Sequence, residues 1–192
     1  MWNRSFLILH GVENRRQGGH WQNELALDLR GRGEQVFYPQ LPDTDRPSLE
    51  AWVEAVLAEL ELMRGEKVVV CHSLACTTWL HVSAAVPAAA DRLLLVSPPG
   101  PGVFDWDVIA GFDPAALDLG RLKLAAATPR LACSDNDPYC PEGAEAVFGG
   151  PLGCDVDLLP GAGHITYDDG YGNWPSALAW CLDPAERLAH NR

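Results

Sequence analysis

The chain has 192 residues, 47% of them hydrophobic, with 26 Asp and Glu against 14 Lys and Arg. A single domain of this length buries roughly 70% of its unfolded surface, enough for a sheet covered on both faces. The net charge of -12 repels phosphate backbones and anionic lipid, so nucleic acid and membrane surfaces are excluded as partners, and Arg15-Arg16 is too short a basic stretch to offset it.

Residues 5–10 form a short apolar run closed by Gly11, the pattern of a strand buried on both faces. A polar, glycine-bearing loop with Asn14, Arg15 and Arg16 follows, and then Trp21, Leu25 and Leu29 recur every fourth residue before Gly31 and Gly33, which predicts a helix with one apolar stripe. Residues 35–38 predict a second strand, ended by Pro39. Ser48 is placed to N-cap a helix whose apolar residues Leu49, Trp52, Val53, Val56, Leu57, Leu60 and Met63 keep helical spacing up to Gly65. Residues 67–71 predict the third strand, 73–86 the helix after it, and 92–97 the fourth strand. Between 98 and 127 prolines, glycines and scattered aromatics suggest a small cap, with a short helix possible around 115–124. Strands at 129–134 and 156–159, a short helix at 142–148 and a final helix from Pro175 complete the pattern.

Strands alternating with helices, and apolar throughout, predict one α/β domain over 1–192: a roughly six-stranded, mainly parallel sheet with helices on both faces and a minimal lid. Sites in such sheets form at the carboxyl ends of the strands, where strand order reverses.

The stretch Val68-Val69-Val70-Cys71-His72-Ser73-Leu74-Ala75-Cys76 carries the chemistry. A sharp strand-to-helix turn that presents a serine brings the positions two before and two after it into contact, so both must be small. Ser73, with Cys71 and Ala75, meets this; Ser5, Ser48, Ser83, Ser97, Ser134 and Ser176 each have a large or polar residue at one of those offsets. The alternative is that Ser73 only N-caps the helix. A serine nucleophile needs a base, and the base needs an orienting acid. Asp137, after the fifth strand, is the candidate acid, with Asp135 as the fallback and turn formation as the plain alternative for both. His164, on the glycine-rich loop after the last strand, is the candidate base, and the order Ser73, Asp137, His164 is the one this fold class uses. His10 ends the first strand and is expected to shape the loop beyond it, whereas His72 is expected to face away from the site. Backbone N–H groups of Leu74 and Val12 are the candidate oxyanion donors. Trp21, Trp106 and Trp174 could line an acyl pocket or belong to the core. His10, His20, His72 and the cysteines have no metal-like local spacing, so no metal is expected.

The six cysteines form no C-x-x-C pair, and the Phe6-Leu7-Ile8-Leu9 run is too short for a signal-peptide core or a membrane span, which leads to an expectation of reduced thiols and a cytoplasmic protein.

Several blocks together resemble the small α/β-hydrolase family that includes retinoblastoma-binding protein nine and the bacterial YdeN-like proteins. They are His10-Gly11, His20-Trp21-Gln22, His72-Ser73-Leu74, Ser134 to Tyr139, Gly163-His164-Ile165 and Gly170-Tyr171-Gly172-Asn173-Trp174-Pro175. The resemblance implies a compact three-layer α/β/α hydrolase fold and serine hydrolase activity on small esters through Ser73, Asp137 and His164, with no cofactor. Cys71 departs from the family's usual glycine, and the loop 11–20 is more charged. The cap being short, short acyl chains are the expected substrates. Peptidase or thioesterase activity and a non-catalytic binding role are the competing readings. Leu131-Ala132-Cys133-Ser134-Asp135 looks like a degenerate pocket-protein docking sequence, but it lies on a predicted buried strand.

Overall fold

The computed structural model describes residues 3–190. Six parallel strands form one sheet in the order β2-β1-β3-β4-β5-β6: β1 (Arg4–Leu9), β2 (Gln35–Phe37), β3 (Glu66–His72), β4 (Arg92–Val96), β5 (Arg130–Cys133) and β6 (Asp155–Leu158). Helix α1 (Trp21–Gly31) follows β1, α2 (Leu49–Leu62) follows β2, and α3 (Leu74–Ala85) follows β3. A three-residue α4 (Gly150–Leu152) precedes β6, and α5 (Pro175–Leu182) ends the fold. Strand order reverses between β1 and β3, so the loops leaving these two strands open a crevice between them.

The lack of alternation in the strands has a direct structural cause. Leu7, Leu9, Val69, Cys71, Leu93 and Leu95 point into a core shared with α2, α3 and the cap. Their neighbours Phe6, Ile8, Val68, Val70, Leu94 and Val96 point into a second core with α1 and α5. Side chains of a strand alternate between faces, and here both faces are dry. Helix α2 starts where the sequence placed it, with Ser48 Oγ accepting from the Ala51 amide at 3.4 Å, and buries Trp52, Val56 and Leu60 along one face. α1 is capped by His20, whose Nδ1 accepts from the Gln22 amide.

Two expectations need correction. No α-helix forms at 115–124: the segment is folded into 3-10 turns over Pro114–Ala116 and Leu119–Arg121, and Gly120 lowers the helix propensity between them. The short helix expected at 142–148 does form but is shifted, π-helical over Glu145–Gly149 and running on into α4. The cap still packs as a unit, through Phe104, Ile109, Phe112 and Leu124, with the Phe112 ring edge-on to Trp52 at 5.2 Å between centroids. Strand β5 is buried along its whole length, and of the Leu131 to Asp135 sequence only Asp135 is exposed. Among the described residues no helix is long and apolar enough to cross a membrane.

Candidate active site

β3 delivers Ser73 in a backbone conformation of φ 55° and ψ -126°, which L-residues other than glycine rarely adopt. The strain is held from two sides: the Ser73 amide donates to Val96 O at the end of β4 (2.9 Å), and Ser73 O accepts from the Cys76 amide (2.8 Å). Ser73 makes no side-chain cap on α3. The N-cap alternative therefore does not hold, and the hydroxyl is left for other work. Cys71 fits the turn because its side chain is buried in the core shared with α2 and α3, where burial pushes the thiol well up. Gly11 is required by close approach. A Cβ there would lie 2.8 Å from Ser73 Cβ.

The Ser73 Oγ–His164 Nε2 distance is 2.9 Å, and His164 Nδ1 is 2.9 Å from both carboxylate oxygens of Asp137. Asp137 is 4% exposed and also accepts from the Tyr139 amide at 2.9 Å. Residues that are 91 and 27 positions from His164 in the chain thus converge on one imidazole. Asp135, the fallback acid, instead accepts from the Gly161 amide at 2.7 Å and lies on the surface. It belongs to a bracket with Ser134 Oγ and Asn136 Oδ1, which accept from the amides of Ala162 and Gly163 (3.0 and 2.8 Å) and fix the loop that carries His164.

The far side of that loop is held by groups the sequence did not single out. Asp169 Oδ2 accepts from the amides of His164 and Thr166, each at 3.0 Å, and from Thr166 Oγ1 at 2.7 Å. His72, expected to face away, points under the loop: its Nε2 donates to His164 O at 3.0 Å, and its ring lies 5.1 Å from the His164 ring. Burial drives the His72 pKa well below its ordinary value, with the neighbouring His164 and His20 acting in the same direction, so the ring is neutral. His10 Nδ1 donates to Gly11 O and its Nε2 accepts from the Leu41 amide (both 2.9 Å), which shapes the loop after β1 as expected. Tyr139 sets its ring 4.6 Å from that of His164.

Among the described residues, no acceptor partners the amides of Val12 and Leu74. Both residues line a cleft beside Ser73. Of the three tryptophans, Trp106 lines that cleft and is 44% exposed. Trp21 and Trp174 do not line either cleft beside Ser73 and are core residues, edge-on to each other at 5.2 Å. Trp21 Nε1 donates to Ile165 O at 2.9 Å, so its contribution is to hold the histidine loop. Apolar aromatics in a sequence carry no mark of which cavity, if any, they face. No group of three or more His, Cys, Asp or Glu among the described residues is arranged to hold a metal ion.

Comparison with known proteins follows the same outline. The model of a family described as serine hydrolase matches residues 6–181. The crystal structure of the ydeN gene product from B. subtilis superposes with a TM-score of 0.81 at 19% identity, over 93% of this chain and 97% of that one. A putative YdeN-like hydrolase from Pectobacterium atrosepticum gives 0.72 at 20% identity, over 92% and 88%. A structure reported with the metagenome-derived lipolytic enzymes LipS and LipT gives 0.72 at 13% identity, over 94% and 92%. A comparison with curated proteins gives no match.

Proposed function

We propose that this chain, which belongs to the serine hydrolase family, is an acyl hydrolase acting on small esters with Ser73 as nucleophile, His164 as general base and acid, and Asp137 as the group that orients His164. The reading is carried by one observation: the unbroken Ser73–His164–Asp137 chain of 2.9 Å contacts, ending on a carboxylate that is 4% exposed.

The chemistry follows from the geometry. Asp137 accepts a hydrogen bond from Nδ1–H and so keeps the proton on Nδ1, which leaves the Nε2 lone pair directed at the Ser73 hydroxyl. Attack of Oγ on the ester carbonyl carbon transfers the hydroxyl proton to Nε2 and places negative charge on the carbonyl oxygen. The amides of Leu74 and Val12, which have no acceptor of their own, are the donors proposed for that oxyanion, and the α3 N-terminus adds its dipole. When the carbon–oxygen bond breaks, His164 returns the proton to the departing alcohol. Water then attacks the acyl-serine, giving up a proton to Nε2, and the carboxylic acid leaves as Ser73 regains its proton. Trp106 and the small volume beside Leu74, about 160 Å³, favour short acyl groups.

A panel of esters, thioesters and peptide amides tests the reading on wild type and Ser73→Ala. Ester turnover that declines with acyl chain length and disappears in Ser73→Ala is expected. Rates that rise toward long chains would overturn the acyl preference, and turnover of amides or thioesters alone would reassign the bond cleaved.

A further inference from the structure

Two clefts meet at Ser73 and differ sharply in character. One, about 160 Å³, lies beside Leu74 and is walled by Pro99, Val103, Trp106 and Ile109. The other, about 430 Å³, lies between the loop after β1 and the loop carrying His164, and its walls include Glu13, Tyr139, Tyr167, Asp168 and Asp169. Val12, Glu13, Ser73, Tyr139, His164 and Thr166 belong to both, so Glu13 stands at the mouth between them, whereas Tyr167, Asp168 and Asp169 line only the larger one.

The direction of the reaction assigns them. The departing group must take its proton from His164 Nε2, so it leaves on the side of the histidine loop, while the acyl group occupies the apolar pocket beside the Leu74 amide. What the leaving-group cleft offers is negative charge and aromatic surface. No Lys or Arg lines it, and neither Glu13 nor Asp168 has an ion-pair partner among the described residues. Asp169 is bound only by neutral donors. Of the nearby arginines, Arg15 pairs with Asp45 and donates to the backbone O of Glu13 at 3.4 Å but not to its carboxylate, and Arg16 is turned to Tyr38 O and Gln40. Independently of the charges, two tyrosine rings stand uncovered in the same cleft, Tyr139 at 49% and Tyr167 at 57% exposure. The Tyr167 ring lies over Gly19, where a Cβ would come within 3.1 Å of it. Aromatic surface beside unpaired carboxylates is the environment that recognises an ammonium group.

Resting on the acyl-hydrolase reading, we propose that the preferred substrates are short-chain acyl esters whose leaving group carries a positive charge, bound between Tyr139 and Tyr167 with Glu13 and Asp168 supplying the field. The overall charge of -12 draws such cations toward the protein, and like-charged leaving groups are repelled.

The test is a matched pair of acetate esters, that of choline and that of 3,3-dimethylbutanol, its neutral carbon isostere. Wild type is expected to favour the cationic ester in kcat/KM by about tenfold or more at low ionic strength, with the ratio falling as salt is raised. In Glu13→Gln/Asp168→Asn and in Tyr167→Leu the ratio falls toward unity. Because each ratio is taken within one protein, a partly folded variant does not distort it. Glu61→Gln, exposed at the end of α2 remote from the site, controls for loss of net charge and keeps the wild-type ratio. Equal rates on the two esters, a preference for the neutral one, or turnover of neither while Ser73 still reacts with a fluorophosphonate would overturn the inference and leave the hydrolase reading standing. Absence of that reaction would overturn the hydrolase reading itself.

Discussion

Asp135 and Asp137 stand two residues apart on one loop, and their environments separate their roles. Asp137 is buried against the His164 imidazole, whereas Asp135 is exposed and receives the Gly161 amide. Asp137→Asn keeps the shape but forces the wrong imidazole tautomer, and kcat is expected to fall about 10⁴-fold. Asp135→Ala removes one loop hydrogen bond, which lowers stability by about 1 kcal/mol and leaves kcat within a few-fold. Steady-state kinetics with a denaturant titration on both variants measures the difference, and equal losses of kcat would contradict the assignment. The sequence carried the choice of Ser73, Asp137 and His164 because each sits just beyond a strand end, where chain order and small flanking residues leave a trace. Asp169 and the orientation of His72 left none. Their roles depend on how the loop after β6 folds back over β3, a relation between segments that are distant in the chain.

The elements that meet at the site are the loop after β1 and the turn between β3 and α3, and Gly11 is where they touch. A methyl group at this position, 2.8 Å from Ser73 Cβ, must displace one of them. Gly11→Ala is therefore expected to lower kcat by about 10²-fold with little change in far-UV circular dichroism, because a shift on the order of 1 Å in a reacting group is enough for that loss. Retention of full kcat would mean that the loop yields without moving the serine. Strands and long helices were legible at this scale: β-branched and leucine runs buried on both faces, and the Trp52, Val56, Leu60 stripe of α2, state their environments directly. The cap was not. Its prolines and glycines forbid regular hydrogen bonding without saying which 3-10 turns replace it, and its form is set by the aromatic contact of Phe112 with Trp52.

For the molecule as a whole, three buried histidines make acid stability a property of the active-site region. Burial lowers His10 and His20 to about 4 and His72 well below its ordinary value. Each is neutral when folded, so the unfolded chain binds more protons once pH drops below its ordinary histidine value of about 6.5. Their stabilising contribution is complete above that pH and is lost as pH falls from about 6.5 toward 4, at up to about 1.4 kcal/mol per pH unit for each histidine. Urea midpoints measured between pH 7 and pH 4.5 should fall steeply. A flat profile would show that these rings are protonated or solvated in the folded protein. The claim on which all of this depends is that Ser73 is an activated nucleophile, and intact-protein mass spectrometry after fluorophosphonate treatment tests it most directly. Wild type should gain one phosphonyl adduct, mapped by peptide digestion to Ser73, and Ser73→Ala should gain none; an unmodified wild type, or an adduct that survives Ser73→Ala, would contradict the account.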